Sequence, residues 1–179
     1  MLSLIILLIL IGSFFIGLRR GFILQAIHLV SFFAALIVAF IFYDDLAEHL
    51  VMLIPYPDFL DPADGEGMLL SSFYFEDVYY NGISFALLFF LTKIVLQIIG
   101  SMLDFVSTLP VLRTVNWFLG GVLGFIETYL ILFVVFIVAL LLPVDFIQSV
   151  ISDSLVARLM VENTPFLSDW LYSLWVDER

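Results

Sequence analysis

With 179 residues, 64% of them hydrophobic and only 13% charged, the chain is too apolar for a soluble domain, where about 45–50% of residues are apolar and about 25% charged. A soluble fold of this length buries only about 70% of its surface, so a lipid bilayer is the expected solvent for the excess. The net charge of −11, from 17 acids against 6 bases, leaves no basic stripe for nucleic acid, and the lack of cysteine excludes disulfides, zinc ribbons and cysteine nucleophiles.

Four stretches are apolar over the roughly 17–25 residues needed to cross about 30 Å of hydrocarbon: 2–18, 22–43, 82–103 and 117–142. Their backbone polar groups can be satisfied in lipid only within helices or a closed barrel. A barrel strand alternates with period two, and Ile5-Ile6-Leu7-Leu8-Ile9-Leu10-Ile11 does not. The expected fold class is therefore all-α, a polytopic membrane protein with four transmembrane helices. Residues 2–18 do not read as a signal peptide. They lack a basic leader and a small-residue cleavage site, and the arginines follow the apolar run.

The first link, inside Gly17-Leu18-Arg19-Arg20-Gly21-Phe22, is so tight that spans one and two are expected as antiparallel neighbours. Gly21 supplies a positive-φ turn residue at no steric cost, and Arg19 and Arg20 mark the topology. The third link carries Arg113, whereas the second, 44–81, has nine acids and no Lys or Arg. The positive-inside rule then puts links one and three in the cytoplasm. Both termini and the acidic loop are expected outside.

Within the outer loop, Leu46, Leu50, Leu53 and Ile54 fall at helical spacing before Pro55. That predicts a short surface helix over 44–54. Residues 58–67 are turn-rich, and their Asp58, Asp61, Asp64 and Glu66 lack the spacing of a calcium loop. Phe73, Tyr74, Phe75, Tyr79 and Tyr80 read as an interfacial aromatic belt. Residues 1–143 form the membrane domain in this reading. The tail, 144–179, is amphipathic. One stripe runs through Phe146, Ile147, Val150, Ile151 and Leu155. After Thr164-Pro165, a second runs through Leu167, Trp170, Leu171, Leu174 and Trp175. Two short helices on the outer membrane surface are expected.

No nucleophile elbow, phosphate loop or zinc-binding helix motif is present, so neither an enzyme nor a cofactor is expected. The sharpest polar feature is Lys93 with Glu127. Each sits about 15 Å along its helix from the cytoplasmic end, at matching depth if spans three and four are neighbours. A lone charge there costs several kcal/mol, so the two are expected to face the interior and pair, with Gln97 one turn away sharing the hydrogen bonding. Two readings stay open: a structural ion pair, or part of an ion or solute path. His28 reads as a packing or interfacial residue. Gly120, Gly121 and Gly124 form a small-residue face that suits close helix contact, either inside one copy or between copies. The expected partners are the bilayer and either a second copy or another membrane protein.

The element Arg20-Gly21-Phe22 after an apolar first helix resembles the colicin V production protein family, which has an Arg-Gly-Phe element between its first two membrane helices. Gln25 stands where that family often has an acid. Arg113-Thr-Val-Asn116-Trp-Phe-Leu-Gly120-Gly121-Val-Leu-Gly124-Phe-Ile-Glu127 is similar to the family's Asn/Asp-x3-Gly-x3-Gly opening of the fourth helix. Ser154 and Pro165-Phe-Leu are similar to its C-terminal region. The resemblance implies a four-helix protein of the bacterial inner membrane without known enzymatic activity, tied to export of a peptide toxin and to envelope maintenance. Related domains occur fused to extracytoplasmic serine proteases, in keeping with an outside C-terminus. A small oligomeric channel or transporter around Lys93 and Glu127 is the alternative.

Overall fold

The computed structural model describes residues 2–55, 68–102, 113–141 and 144–163. All the secondary structure in them is helical: α1 (Leu2–Arg20), α2 (Phe22–Leu53), α3 (Met68–Met102), α4 (Arg113–Leu141), α5 (Asp145–Ser152) and α6 (Leu155–Asn163). The first four are long and apolar enough to cross a bilayer, as the sequence predicts, and the protein is an integral, multi-pass membrane protein. Their outer faces carry large apolar side chains such as Leu4, Leu8, Phe15, Val30, Leu91 and Ile98, each more than half exposed. A surface of that kind belongs in lipid.

Helix ends depart from the predicted spans because the bilayer does not stop a helix; proline and glycine do. α2 continues unbroken from Phe22 to Leu53 and stops just before Pro55. At 1.5 Å per residue it is about 48 Å long, well beyond the hydrocarbon. The expected surface helix over 44–54 is therefore the end of α2, and much of the expected loop 44–81 is helical. α3 likewise begins at Met68. These extensions pack on each other. Ala47, Leu50 and Tyr80 form a small second core with Leu46, Tyr79 and Ile83. The Tyr80 hydroxyl donates to the carbonyl of Ile54 at 2.6 Å. Tyr80 is buried here, which corrects its place in an aromatic belt. The side chains of Phe73, Tyr74 and Phe75, the acidic segment 58–67 and the second tail stripe lie outside the described residues.

Chain order misleads about neighbours. α1 and α2 meet at the turn, but each has its main partner elsewhere: α2 lies along α3, and α1 along α4. α2 also packs on α4, more extensively than α3 does. The core where the helices converge is built on Ile6, Phe32, Ala35, Ala39, Phe89, Phe133 and Val134. Phe32 meets Phe89 edge to face with ring centres 5.4 Å apart, a favoured geometry for aromatic pairs.

The tail is not simply laid on the membrane surface. Its first apolar stripe is cut into α5 and α6 at Asp153-Ser154. Ile151, Ala157, Met160 and Val161 join the main core, while Phe146 and Leu155 stay exposed. α6 packs against α1 and α4. Ser154, buried, makes the junction: its hydroxyl accepts the N–H of Ala157 at 3.3 Å, capping α6, and bonds the hydroxyl of Ser3 on α1 at 2.9 Å.

Candidate functional site

The glycines decide how the arginine end of the bundle assembles. Gly21 has φ +84° and ψ 167°, a conformation that is essentially glycine's alone. It ends α1 and starts α2 with no further linker. A Cβ on Gly120 would lie 2.6 Å from the carbonyl carbon of Gly21, and one on Gly124 would lie 3.1 Å from Gly17 Cα. A Cβ on Gly121 would meet Leu18 at 2.6 Å. The stripe Gly120, Gly121 and Gly124 is therefore filled by α1 and the turn of the same chain. Of the two readings of that stripe, the packing inside one copy is the one realised. Asn116 completes the joint, its side-chain oxygen accepting the N–H of Phe22 at 3.1 Å. This satisfies one of the donors left free at the start of α2. The two sequence motifs that resemble one family thus meet in space.

The turn sets the depth of α2, and with it the position of Gln25 and His28, one helical turn apart on one face and both buried. Lys93 and Glu127 come to them from α3 and α4. The Lys93 ammonium donates to Glu127 Oε1 at 2.6 Å and to the carbonyl of His28 at 2.7 Å. The Gln25 amide donates to Glu127 Oε2. Lys93 is 5% and Glu127 6% exposed, so the pair is cut off from water as well as from lipid. The two side chains form an ion pair inside one copy. It lies about 14 Å along α3 from Met102 and about 21 Å along α4 from Arg113.

The predicted pair is thus formed and faces inward, but its third member is corrected. The hydrogen bonds go to Gln25 and to the His28 carbonyl, and Gln97 takes no part in them. Helix α2 lies against both α3 and α4, so it supplies the partners that the sequence sought on α3. The signal was present: a carboxylate in lipid needs a donor for its second oxygen, and Gln25 and His28 were the strongly polar members of span two. Gln25 keeps its own carbonyl oxygen buried with no hydrogen-bond partner among the described residues.

Gln97 belongs to a different feature. Between α2 and α3, at the arginine end, a groove of about 480 Å³ is lined by Arg20, Leu24, His28, Ile94, Gln97, Ile98 and Ser101. Arg20 stands at its mouth and His28 at its floor. Arg19 is exposed and outside it. Phe22 is half-exposed on the opposite face of α2, and Arg113 opens α4. No group of three or more His, Asp or Glu that could hold a metal occurs among the described residues.

Comparison with known proteins agrees with these motifs. The family model described as colicin V production protein matches residues 2–165. A Bacillus subtilis (strain 168) protein described as the uncharacterized transmembrane protein YshB is 44% identical over 178 residues, covering 98% of this chain and 97% of the relative. No solved structure matches.

Proposed function

Because this chain belongs to the colicin V production protein family, we propose that it supports production or export of a colicin V-type peptide toxin, or upkeep of the envelope, through protein contacts in a bacterial inner membrane. What supports the protein-contact reading is the closure of the buried cluster. Lys93 and Glu127 cancel each other's charge, and both Glu127 oxygens and two donors of Lys93 are engaged within one copy. A charge-balanced cluster of this kind holds three helices in register and has no net charge left over for a passing ion. The reading involves no enzymatic step and no cofactor.

The test is complementation. In a toxin-secreting strain lacking its own copy of this protein, the wild type should restore secreted toxin or envelope integrity. A Lys93→Met, Glu127→Leu double variant that still folds should restore it equally. Failure of the folded double variant would overturn the protein-contact reading.

A second reading, an oligomeric channel or transporter, draws on the groove, which leads from Arg20 inward to His28 beneath the pair. Reconstitution in liposomes separates the two. Proton or cation flux that disappears in Glu127→Gln carries the channel, and absence of flux in the wild type removes it.

A further inference from the structure

We propose that the groove between α2 and α3 is a binding site for an anionic phospholipid, with the headgroup phosphate on Arg20 and the start of an acyl chain along Leu24, Ile94 and Ile98. The proposal is independent of which reading of the cellular role holds. The charge argument comes first. None of the residues lining the groove is acidic, and no salt bridge or hydrogen bond engages the Arg20 guanidinium among the described residues. In a chain of net charge −11, that is an unneutralised cation at a recess without an acid. Gln97 and Ser101 line the same recess from α3; the Ser101 hydroxyl donates to the carbonyl of Ile98, so Gln97 supplies the further hydrogen-bond donor for phosphate oxygens. An arginine fork suits a phosphate.

The rest of the lining fits a lipid better than a free anion. Ile94 and Ile98 are more than half exposed, so the groove opens sideways between the helices, toward the acyl chains. From Ser101 to Ile94 it extends about 10 Å along α3, with Arg20 and Ser101 at the outer end and Leu24, Ile94 and Ile98 offering apolar contact along its length. Its volume lies within the range of small-molecule sites, and basic pockets between membrane helices on the cytoplasmic side are a known way of holding anionic headgroups. The turn at Gly21 fixes Arg20 at the membrane interface, where phosphates are.

The test uses the full-length protein in nanodiscs of equimolar dioleoyl phosphatidylglycerol and dioleoyl phosphatidylcholine, with retained lipid read by native mass spectrometry. The wild type should retain phosphatidylglycerol preferentially. Arg20→Gln should reduce that preference at least about ten-fold, the effect of losing a charge-assisted hydrogen bond to the phosphate, and Arg19→Gln should reduce it far less. Ser101→Trp, which fills the exposed rim and removes no charge, should reduce it as well. Equal losses in the Arg19 and Arg20 variants, no preference in the wild type, or retention unchanged in Ser101→Trp would each overturn the site. Displacement of the lipid by millimolar inorganic phosphate would overturn the lipid assignment in favour of a free anion.

Discussion

The side-chain oxygen of Asn116 accepts a hydrogen bond from the backbone N–H of Phe22 at 3.1 Å, across 94 positions of the chain. A helix cap normally comes from the residue just before the helix. Here that residue is Gly21, which has no side chain to offer, and α4 supplies the oxygen instead. Asn116→Ala should therefore lower stability by about 1 kcal/mol, the usual worth of a cap. Reversible unfolding in mixed micelles measures it. Asn116→Asp, which keeps an acceptor, should stay closer to wild type, and equal stability of the Ala variant would mean that the contact does not cap α2.

The glycine joint gives a sharper contrast. A Cβ on Gly120 would press on the backbone of the turn at Gly21, whereas one on Gly12 would meet nothing within 4 Å. Backbone cannot swing aside as a flexible side chain can. Gly120→Ala should cost about 1–3 kcal/mol through overpacking. Gly12→Ala should be neutral or stabilising by up to about 1 kcal/mol through helix propensity. The same unfolding experiment reads both. Chemical cross-linking of the two variants should show the oligomeric state of wild type, since the face is filled by α1 of the same chain.

These contacts also show what the sequence could and could not reveal. The four spans were legible because the bilayer demands a minimum apolar length, and the pairing of Lys93 with Glu127 because a single charge at that depth is too costly to leave alone. The helix ends were not, since a span limit drawn at Tyr43 reflects lipid thickness and nothing chemical interrupts α2 before Pro55. Gln25 was legible as a polar residue in need of a partner, but not as the third member. Its role depends on how far the turn at Gly21 sinks into the bundle, which is set by Asn116 and Gly120 nearly a hundred residues away. The stripe Gly120, Gly121 and Gly124 marked a close contact but not its partner. Gly17 and Gly21 had the matching spacing, and only the packing of α1 on α4 joins the two.

For the ion pair, the single and combined variants should differ in a characteristic way. Lys93→Met leaves Glu127 charged and buried beside one amide, and should cost about 3–5 kcal/mol. Adding Glu127→Leu removes the stranded charge and should recover most of that. Recovery stops short of complete because the Gln25 amide loses its acceptor, so adding Gln25→Leu should restore the remainder. Unfolding free energies of the single, double and triple variants check the sequence. If the double variant is no more stable than the single, the buried charge is not what the pair offsets.

Orientation can be read directly because the chain contains no cysteine. Glu48 is exposed on the part of α2 that projects beyond the hydrocarbon, on the acidic side. Ser101 is exposed at the arginine end. The positive-inside rule predicts that the arginine end lies in the cytoplasm. In intact cells Glu48→Cys should react with a membrane-impermeant maleimide, and Ser101→Cys should react only after permeabilisation. Both substitutions sit on exposed helix faces, where changes usually stay within about 0.5 kcal/mol, so folding should survive them. The reverse labelling pattern would invert the protein in the membrane. The arginine turn, the groove and the start of α4 would then face outward, and the acidic arm formed by the extensions of α2 and α3 would face the cytoplasm.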